Sequence, residues 1–321
     1  MTRKLFSMSL CGFALLLLMG AGVAPEQSEA SAAKEESAVQ YASALETSVR
    51  SLDEVKSAAV PAAEGTSLLR LAETTDSRFT INGEYASQDL GRTQKNGVTY
   101  VALGPTAKAL DSSAQVSWNA SSGVVKITTA KLSLTAQVGQ LYLEANGRYL
   151  YLADGVQLIS GRVVVPLWAV AEAFDAHMSW NSATGVVSLT SGSGAIQSGD
   201  SYYNQNDLFW LSRVIYAESG NQSLTGKMAV GNVVMNRVAS SAYPNTVQGV
   251  LAQKNQFTTY KGGALKNRTP NASSVIAAKL VLDGGVVAET EGATHFDSAA
   301  KSWASQHKQC VAVLGGHKFY K

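Results

Sequence analysis

The fold of the C-terminal part of this chain is decided by residues 207–222, which read DLFWLSRVIYAESGNQ. Leu208, Leu211 and Ile215 recur at helical spacing, so the stretch predicts an amphipathic helix. Glu218 follows three residues after Ile215 on the same apolar face. The spacing therefore predicts a carboxylate that is directed inward at the end of the helix.

Two interpretations of Glu218 are open. An acid held against apolar surroundings is suited to giving a proton to a leaving oxygen, which is the work of a general acid. Alternatively, Glu218 only ends the helix, either exposed or paired with Arg213 or Lys227. The predicted N-cap of this helix is Asp207.

The N-terminal region predicts export. The chain has 321 residues and 45% hydrophobic content, enough for a large core and two domains. Arg3 and Lys4 precede an apolar run from Leu10 to Val23, so residues 1–32 are predicted to be a signal peptide. The run is too short for a membrane span, so no stable span is expected after cleavage. Residues 33–77, rich in Ala, Ser and Glu, are predicted to be a helical or disordered spacer.

Charge and cysteine content limit the function classes. Residues 201–321 carry 12 lysines and arginines against 6 acids, whereas residues 1–200 have a net charge of −4. The basic residues are scattered and no nucleic-acid-binding motif accompanies them, so we expect an anionic cell wall as partner and no nucleic acid. Cys310 is the only cysteine beyond the signal, which excludes an intramolecular disulfide, and it is predicted to be a buried small apolar residue.

Residues 78–190 contain a duplication. The segments 118–125 and 180–187 share the pattern Trp-Asn-x-x-x-Gly-Val-Val, and each follows an extended run and a short helical pattern. The pairs Asn82-Gly83 and Asn146-Gly147 predict tight hairpins. The repeated order predicts a duplicated strand-helix-hairpin unit.

This duplicated unit resembles the copper amine oxidase N-terminal-like domain of bacterial envelope proteins, which implies a module that holds the protein in the envelope. Its only histidine or cysteine is His177, so no copper ligand set is expected, and His177 is interpreted as structural. Trp118 and Trp180 are candidates for stacking on sugar rings, but a core position is the favoured interpretation. Residues 191–206, with two Ser-Gly pairs and then a polar run, are predicted to be a flexible linker.

The segment 207–321 resembles the cell wall hydrolase family that includes the spore-cortex-lytic enzymes of the SleB and CwlJ type. The resemblance rests on six blocks in order, namely 216–218, 220–222, 226–238, 243–247, 256–257 and 316–320. It implies a lysozyme-like fold in which a glutamate at a helix end, here Glu218, faces the glycan cleft. The whole chain is thus predicted to be an α+β protein, a duplicated β-rich module followed by a mainly helical lysozyme-like catalytic domain.

The acids of this domain favour one type of glycan cleavage. Ordinary glycosidases need two carboxylates at the scissile bond, and none of the acids besides Glu218 lies in a recognised catalytic block. A lytic transglycosylase needs only one, because the C6 hydroxyl of N-acetylmuramic acid replaces water as nucleophile. The prediction is an exported, peptidoglycan-cleaving lytic transglycosylase with Glu218 as acid and base. A water-using muramidase or glucosaminidase with Asp297 or Glu291 as second acid, and a non-catalytic wall-binding protein, are the alternatives.

Further site residues follow from the resemblance. They are predicted to contact substrate or line the cleft, and they are Tyr216, Asn236, Gln256, Phe257, His295, Phe296, His317 and Tyr320. Phe257 is equally well interpreted as core, and Asn236 as a buried brace between helices. Residues 295–296 and 317–320 either line the groove or close the core. The spacing of His295, His307 and His317 matches no metal-ligand pattern, so neither a metal nor a cofactor is expected. The predicted location is secreted, in the cell wall or the spore envelope, with cortex and vegetative wall both open as substrates.

Overall fold

The computed structural model describes residues 75–254 and 256–321, which belong to one structural unit. The predicted signal peptide and nearly all of the predicted spacer lie outside these described residues. Within the two described ranges, no helix has the length and apolar character needed to cross a membrane.

The first part is rich in short strands with two helices. The two helices are α1 (Leu103–Leu110) and α2 (Leu167–Ala173). The strands are β1 (Thr75–Ile81), β2 (Glu84–Ser87), β3 (Thr93–Lys95), β4 (Val98–Ala102), β5 (Gln115–Asn119), β6 (Val124–Thr128), β7 (Ser133–Gln137), β8 (Tyr142–Ala145), β9 (Arg148–Tyr151), β10 (Gln157–Ile159), β11 (Arg162–Pro166), β12 (His177–Asn181) and β13 (Val186–Thr190).

The duplication predicted from the sequence is visible as repeated local structure. The pairs Asn82-Gly83 and Asn146-Gly147 form the turns of two-residue hairpins, β1–β2 and β8–β9, with positive φ at both positions, 53° and 88° in the first and 48° and 79° in the second. A third pair, Asn96-Gly97, forms the β3–β4 turn in the same way. Turns with two left-handed residues match the twist of the flanking strands, and Asn and Gly reach that region at low cost. Each Trp-Asn pattern forms a hairpin, β5–β6 and β12–β13.

The two copies are joined by strand pairing that the sequence does not indicate. The sheet orders are β12-β13-β1-β2, β10-β11-β4-β3 and β5-β6-β7-β8-β9. The second Trp-Asn hairpin therefore pairs with the first Asn-Gly hairpin through the parallel β1–β13 contact, while β4 and β11 pair antiparallel. Since every sheet contains strands from both copies, neither copy can bury its apolar face without the other.

The predicted core position of Trp118 and Trp180 is wrong. Their side chains are 45% and 65% exposed. The reason is that β5 and β12 are edge strands, and all five residues of each are exposed, whereas their pairing partners Val125 and Val187 are buried. His177 on β12 is also exposed, so it does not have the structural role interpreted from the sequence.

The segment 191–206 makes specific contacts, in contrast to the flexible linker predicted from its composition. The backbone N–H of Ile196 donates to Ala173, and Ile196 itself is buried in the core of the β-rich module. The N–H of Gly199 donates to Asn146 over 2.8 Å. A short helix, α3 (Gly199–Tyr202), then leads into the second part of the chain. The polar composition of the segment predicts flexibility, but it does not show that backbone N–H groups of the segment bond to carbonyls of the β-rich module.

The second part is mainly helical with one small sheet. Its elements are α4 (Gln205–Ser219), α5 (Leu224–Ala239), α6 (Val247–Ala252), α7 (Ala272–Leu282), β14 (His295–Asp297), α8 (Trp303–His307), β15 (Cys310–Leu314) and β16 (His317–Tyr320). Helices α4, α5 and α7 pack on one another, and the sheet has the order β14-β16-β15. The observed architecture is therefore α+β, with a β-rich first part.

Two details differ from the sequence predictions. Helix α4 begins two residues before Asp207, and its N-cap is Asn204, whose Oδ1 accepts from the N–H groups of Asn206 and Asp207. Asn and Asp cap equally well, so composition does not choose between them. Cys310 is exposed, because it begins β15 at the edge of the sheet.

A buried polar contact joins the two parts of the chain. Arg148 on β9 forms a two-pronged ion pair with Asp283 at the C-cap of α7, and the two side chains are 8% and 2% exposed. The hydroxyl of Tyr203 donates to Asp283 over 2.7 Å and accepts from the N–H of Tyr149 over 3.0 Å. Glu172 on α2 accepts a further bond from Arg148, 3.3 Å long. The β-rich module is thus fixed on the helical part.

Candidate active site

Glu218 lies in the last turn of α4 and is half-buried. Its Oε1 accepts a 3.0 Å hydrogen bond from the hydroxyl of Thr259. Among the described residues it forms no ion pair. The Thr259 hydroxyl therefore orients one oxygen of the carboxylate without bringing a charge to it.

The alternative pairing of Glu218 with Arg213 or Lys227 is wrong. The Arg213 guanidinium donates to the carbonyls of Phe209 and Lys266. The Lys227 ammonium donates to the hydroxyl of Ser273 over 2.6 Å. Both cations therefore bind groups other than Glu218, and neither neutralises its carboxylate.

The loop after α4 holds a neighbouring turn against the site. The Oε1 of Gln222 accepts from the N–H of Gly316, 3.2 Å away, in the turn between β15 and β16. Gly315 in the same turn has a φ of 55°, and a Cβ there would lie 1.8 Å from the Oε1 of Gln222. A side chain here would be strained at this φ and would displace the Gln222 amide, so the contact favours glycine and positions the residue that follows the turn, His317.

His317 lies close enough to Glu218 for their charges to interact. Burial lowers the pKa of His317, while the charges of Glu218 and Asp297 act in the opposite direction. Its ring packs edge-on against Phe296 with 5.3 Å between centroids. A neutral imidazole at this place can offer one donor and one acceptor beside Glu218 without adding a positive charge.

Asp297 is the second acid near the site. Its Oδ2 accepts a 2.5 Å bond from the hydroxyl of Ser302. Its Oδ1, the Nδ1 of His317 and the hydroxyl of Tyr320 are all buried without a hydrogen-bond partner in the described part of the chain. Burial, followed by the charge of Asp297, raises the pKa of Tyr320. These groups on β14 and β16 form a polar layer around Asp297, which is itself half-buried.

A cleft of about 510 Å³ brings several predicted residues together. Its lining includes Gln256, His295 and Phe296, with Trp303 as an exposed wall. Buried Arg237 donates to the Oε1 of Gln256 over 2.9 Å, which orients that amide. Burial, and then the charge of Arg237, lowers the pKa of His295. Neutral amide, imidazole and indole groups are suited to a sugar with acetamido and hydroxyl substituents.

Three other predicted residues have packing contacts in the structure. Phe257 is buried in the helical core, which agrees with the alternative interpretation given to it. Asn236 donates to the carbonyl of Ala293 over 2.8 Å, as expected for a brace. Tyr216 is half-buried, and its carbonyl lies 2.5 Å from where a Cβ on Gly220 would be, so the chain can turn after Glu218 only with glycine. Substrate contacts of these residues stay predictions.

Sequence reasoning missed two residues that hold the site. Thr259 stands in a short 3-10 segment, Thr258–Gly263, forty-one positions after Glu218. Gln222 belonged to a recognised block, but nothing local indicated its contact with the turn at Gly316. Both contacts depend on long-range packing, so no periodicity carries a signal for them. Within residues 75–254 and 256–321, no group of three histidine, cysteine or acidic side chains is placed to hold a metal ion.

The geometry of Glu218 is accompanied by a family match. Residues 221–320 match the model of the cell wall hydrolase family. Residues 221–320 therefore form a cell wall hydrolase domain. Residues 80–189 match the copper amine oxidase N-terminal domain, so the β-rich module precedes a cell wall hydrolase domain.

Relatives of the cell wall hydrolase domain are named for activity on the spore cortex. A spore cortex-lytic enzyme of Bacillus cereus is 34% identical over 37% of this chain and 46% of its own length. That of Bacillus subtilis strain 168 is 28% identical over 36% of this chain and 38% of its own length. This chain therefore covers less than half of either relative. The solved catalytic domain of the germination-specific lytic transglycosylase SleB of Bacillus anthracis is 30% identical, covering 39% of this chain and 100% of that chain, with a TM-score of 0.34.

Proposed function

We propose that this protein is an exported enzyme that cleaves the glycan strands of peptidoglycan between N-acetylmuramic acid and N-acetylglucosamine. The observation that carries the proposal is the state of Glu218, half-buried at a helix end, bonded to one hydroxyl and free of any counter-ion in the described chain. The family match and the names of the cortex-lytic relatives support peptidoglycan as the substrate class. A lysozyme-like arrangement of the helical domain is part of the proposal.

The proposed reaction is a lytic transglycosylation in which Glu218 acts twice. Protonated Glu218 gives its proton to the glycosidic oxygen, so that the bond to C1 of N-acetylmuramic acid breaks and N-acetylglucosamine leaves with a free hydroxyl. The resulting carboxylate then takes the proton of the C6 hydroxyl. The C6 oxygen attacks C1, which forms a 1,6-anhydro ring and returns Glu218 to its starting state.

The surroundings of the other acids support the single-acid reaction over hydrolysis. A hydrolase needs a second carboxylate with access to water or to the sugar. Asp297 has one oxygen buried and accepts a hydrogen bond from Ser302 on the other, so its carboxylate is less accessible to water than that of an exposed acid. Glu291 is exposed after a 3-10 turn, and within the described residues its side chain forms no ion pair. Hydrolysis by a second acid therefore has no favourable candidate.

The proposal includes where the enzyme acts and on which peptidoglycan. The charged and apolar pattern of residues 1–32 supports export, and the β-rich module, residues 78–190, is proposed to hold the enzyme in the cell envelope. The names of the relatives make spore cortex, and germination, the first setting to examine. Peptidoglycan of the vegetative wall is the second.

The test is mass spectrometry of the fragments released from purified cortex and vegetative peptidoglycan by residues 33–321. We expect anhydro-ended muropeptides from the unmodified chain and none from Glu218→Gln, because the amide has no proton to donate. Glu291→Gln, a change of the same type at an exposed acid, is the matched control and should retain full activity. Reducing ends heavier by one water would indicate hydrolysis. Sedimentation with peptidoglycan without released fragments would support the binding-protein alternative.

A further inference from the structure

The β-rich module has a cleft of its own, away from Glu218. It measures about 590 Å³ and lies between the β3–β4 hairpin, the start of α2 and the edge strand β12. Trp168, Met178 and Trp180 form its apolar wall, and the first two are 38% and 43% exposed. Clefts of this size are typical of sites for small ligands.

The duplication provides an internal comparison for this cleft. Trp168 is the second residue of α2, and the second residue of α1 in the first copy is Gly104. Met178 precedes Trp180 by two residues, where the first copy has Val116 before Trp118. The Cγ1 of Val116 lies 3.3 Å from where a Cβ on Gly104 would be, so the first copy has no room for a large side chain there. The same fold position is closed in one copy and built into an aromatic cleft in the other.

Packing does not explain the residues of the open copy. An indole and a thioether exposed side by side leave apolar surface in contact with water, which is unfavourable. Contiguous exposed apolar surface of this kind usually marks a binding site. The remaining side chains of the lining that can form hydrogen bonds are Gln94, Thr99 and Ser179, and none of the lining residues carries a charge.

We propose that this cleft binds an N-acetylated sugar of the peptidoglycan glycan strand. One face of a pyranose ring presents only C–H groups, which pack on an indole face, while its hydroxyl and acetamido groups need donors and acceptors at the edges. Trp168 and Trp180 supply the faces, and the amide of Gln94 with the hydroxyls of Thr99 and Ser179 supplies the edges. The uncharged lining does not compensate the charges of stem peptides. This inference rests on the proposed function for the identity of the glycan.

The cleft is mechanically connected to the hydrolase domain. Helix α2 begins beside the cleft at Trp168 and carries Glu172 one turn later. Glu172 accepts from Arg148, which is paired with buried Asp283 of the helical domain. A strand held at this cleft is therefore held at a fixed position relative to the domain that carries Glu218. Binding here should matter for long insoluble strands and not for short soluble fragments, which reach only one of the two sites.

The experiment uses residues 33–321 with Glu218→Gln, so that no strand is cut during the measurement. Peptide-free glycan strands are titrated by isothermal calorimetry into this parent and into the added substitutions Trp168→Ala, Trp180→Ala and Trp118→Ala. We expect the first two to weaken binding about tenfold or more, as is usual for a central aromatic contact. Trp118→Ala, the same change on the matching hairpin of the closed copy, should leave binding unchanged. Trp168→Phe, which keeps an aromatic face, should retain most of the affinity and serves if the alanine variant unfolds.

Three results would overturn the proposal. These are unchanged affinity in both Trp168→Ala and Trp180→Ala, an equal loss in Trp118→Ala, and competition by isolated stem peptides but not by N-acetylglucosamine oligomers. A failure of the proposed function is distinguishable, because it would appear as a lack of released fragments from the chain with intact Glu218 while the Trp-dependent binding persisted. Conversely, normal fragment release together with binding that does not depend on Trp168 or Trp180 would refute the proposal for the cleft and leave the proposed function intact.

Discussion

The side chain of Gln222 accepts a hydrogen bond from the backbone N–H of Gly316, and this contact joins the loop after the Glu218 helix to the turn that precedes His317. The turn approaches Gln222 so closely that position 315 has no space for a side chain. The position of His317 beside Glu218 thus depends on the amide of Gln222, which lies ninety-four residues before Gly316 in the sequence.

Substitutions at Gln222 and Gly315 should be strongly coupled. We expect Gln222→Ala to lower the free energy of unfolding by about 1 kcal/mol, the usual net contribution of one hydrogen bond. Gly315→Ala should lower it by about 2 kcal/mol or more, since it adds left-handed strain and a clash with Gln222. In the double variant the clash is gone, so its loss in the free energy of unfolding should be smaller than the sum of the two single losses by about 1 kcal/mol. Urea unfolding of the four proteins measures this cycle, and strict additivity would contradict the contact.

The hydroxyl of Thr259 is expected to orient the carboxylate of Glu218 without itself contacting substrate. Thr259→Val, which is nearly isosteric, should lower kcat by about tenfold with little change in KM, because the loss concerns the transition state more than binding. Thr259→Ser keeps the hydroxyl and should restore most of the rate. Initial rates of fragment release at several peptidoglycan concentrations separate kcat from KM. If Ser were as impaired as Val, the methyl group and not the hydrogen bond would be responsible.

The buried pair between Arg148 and Asp283 should couple the unfolding of the two parts. Asp283→Asn leaves the Arg148 guanidinium buried without its counter-ion, and we expect a loss of about 3 kcal/mol in the free energy of unfolding. The control is the double variant Arg148→Met with Asp283→Leu, in which no charge is stranded and most of the stability should return. Calorimetry should show one transition for the unmodified chain and two for Asp283→Asn.

Burial of two histidines should make the helical domain less stable in mild acid. Burial lowers the pKa values of His295 and His317 in the folded protein, so near pH 6.5 and below the unfolded chain binds more protons than the folded one. The free energy of unfolding therefore rises with pH through this window. It reaches its full value only above the pKa that the two histidines have in the unfolded chain. Urea midpoints between about pH 5 and about pH 7.5 should show this slope. His317→Asn should flatten it, and an unchanged slope in that variant would remove His317 from the explanation.

Local signals in the sequence predicted those elements whose geometry is set by neighbouring residues. The two Asn-Gly hairpins follow from the left-handed preference of Asn and Gly, and the helix ending at Glu218 follows from apolar spacing. The exposure of Trp118 was predicted wrongly, because period-two alternation does not tell an edge strand from a central one. Cys310 was predicted wrongly because a free cysteine is usually buried, whereas this one begins the edge strand β15.

By itself, the sequence determined the duplicated β-rich module, the helix with Glu218 at its end and the order of the family blocks, because each is written in residues close together along the chain. Only the tertiary structure decided that the hairpins pair between copies, that Thr259 bonds to Glu218, and that Gln222 holds the turn before His317. These are contacts between distant residues, and their free energy depends on how whole elements pack, which no local pattern records.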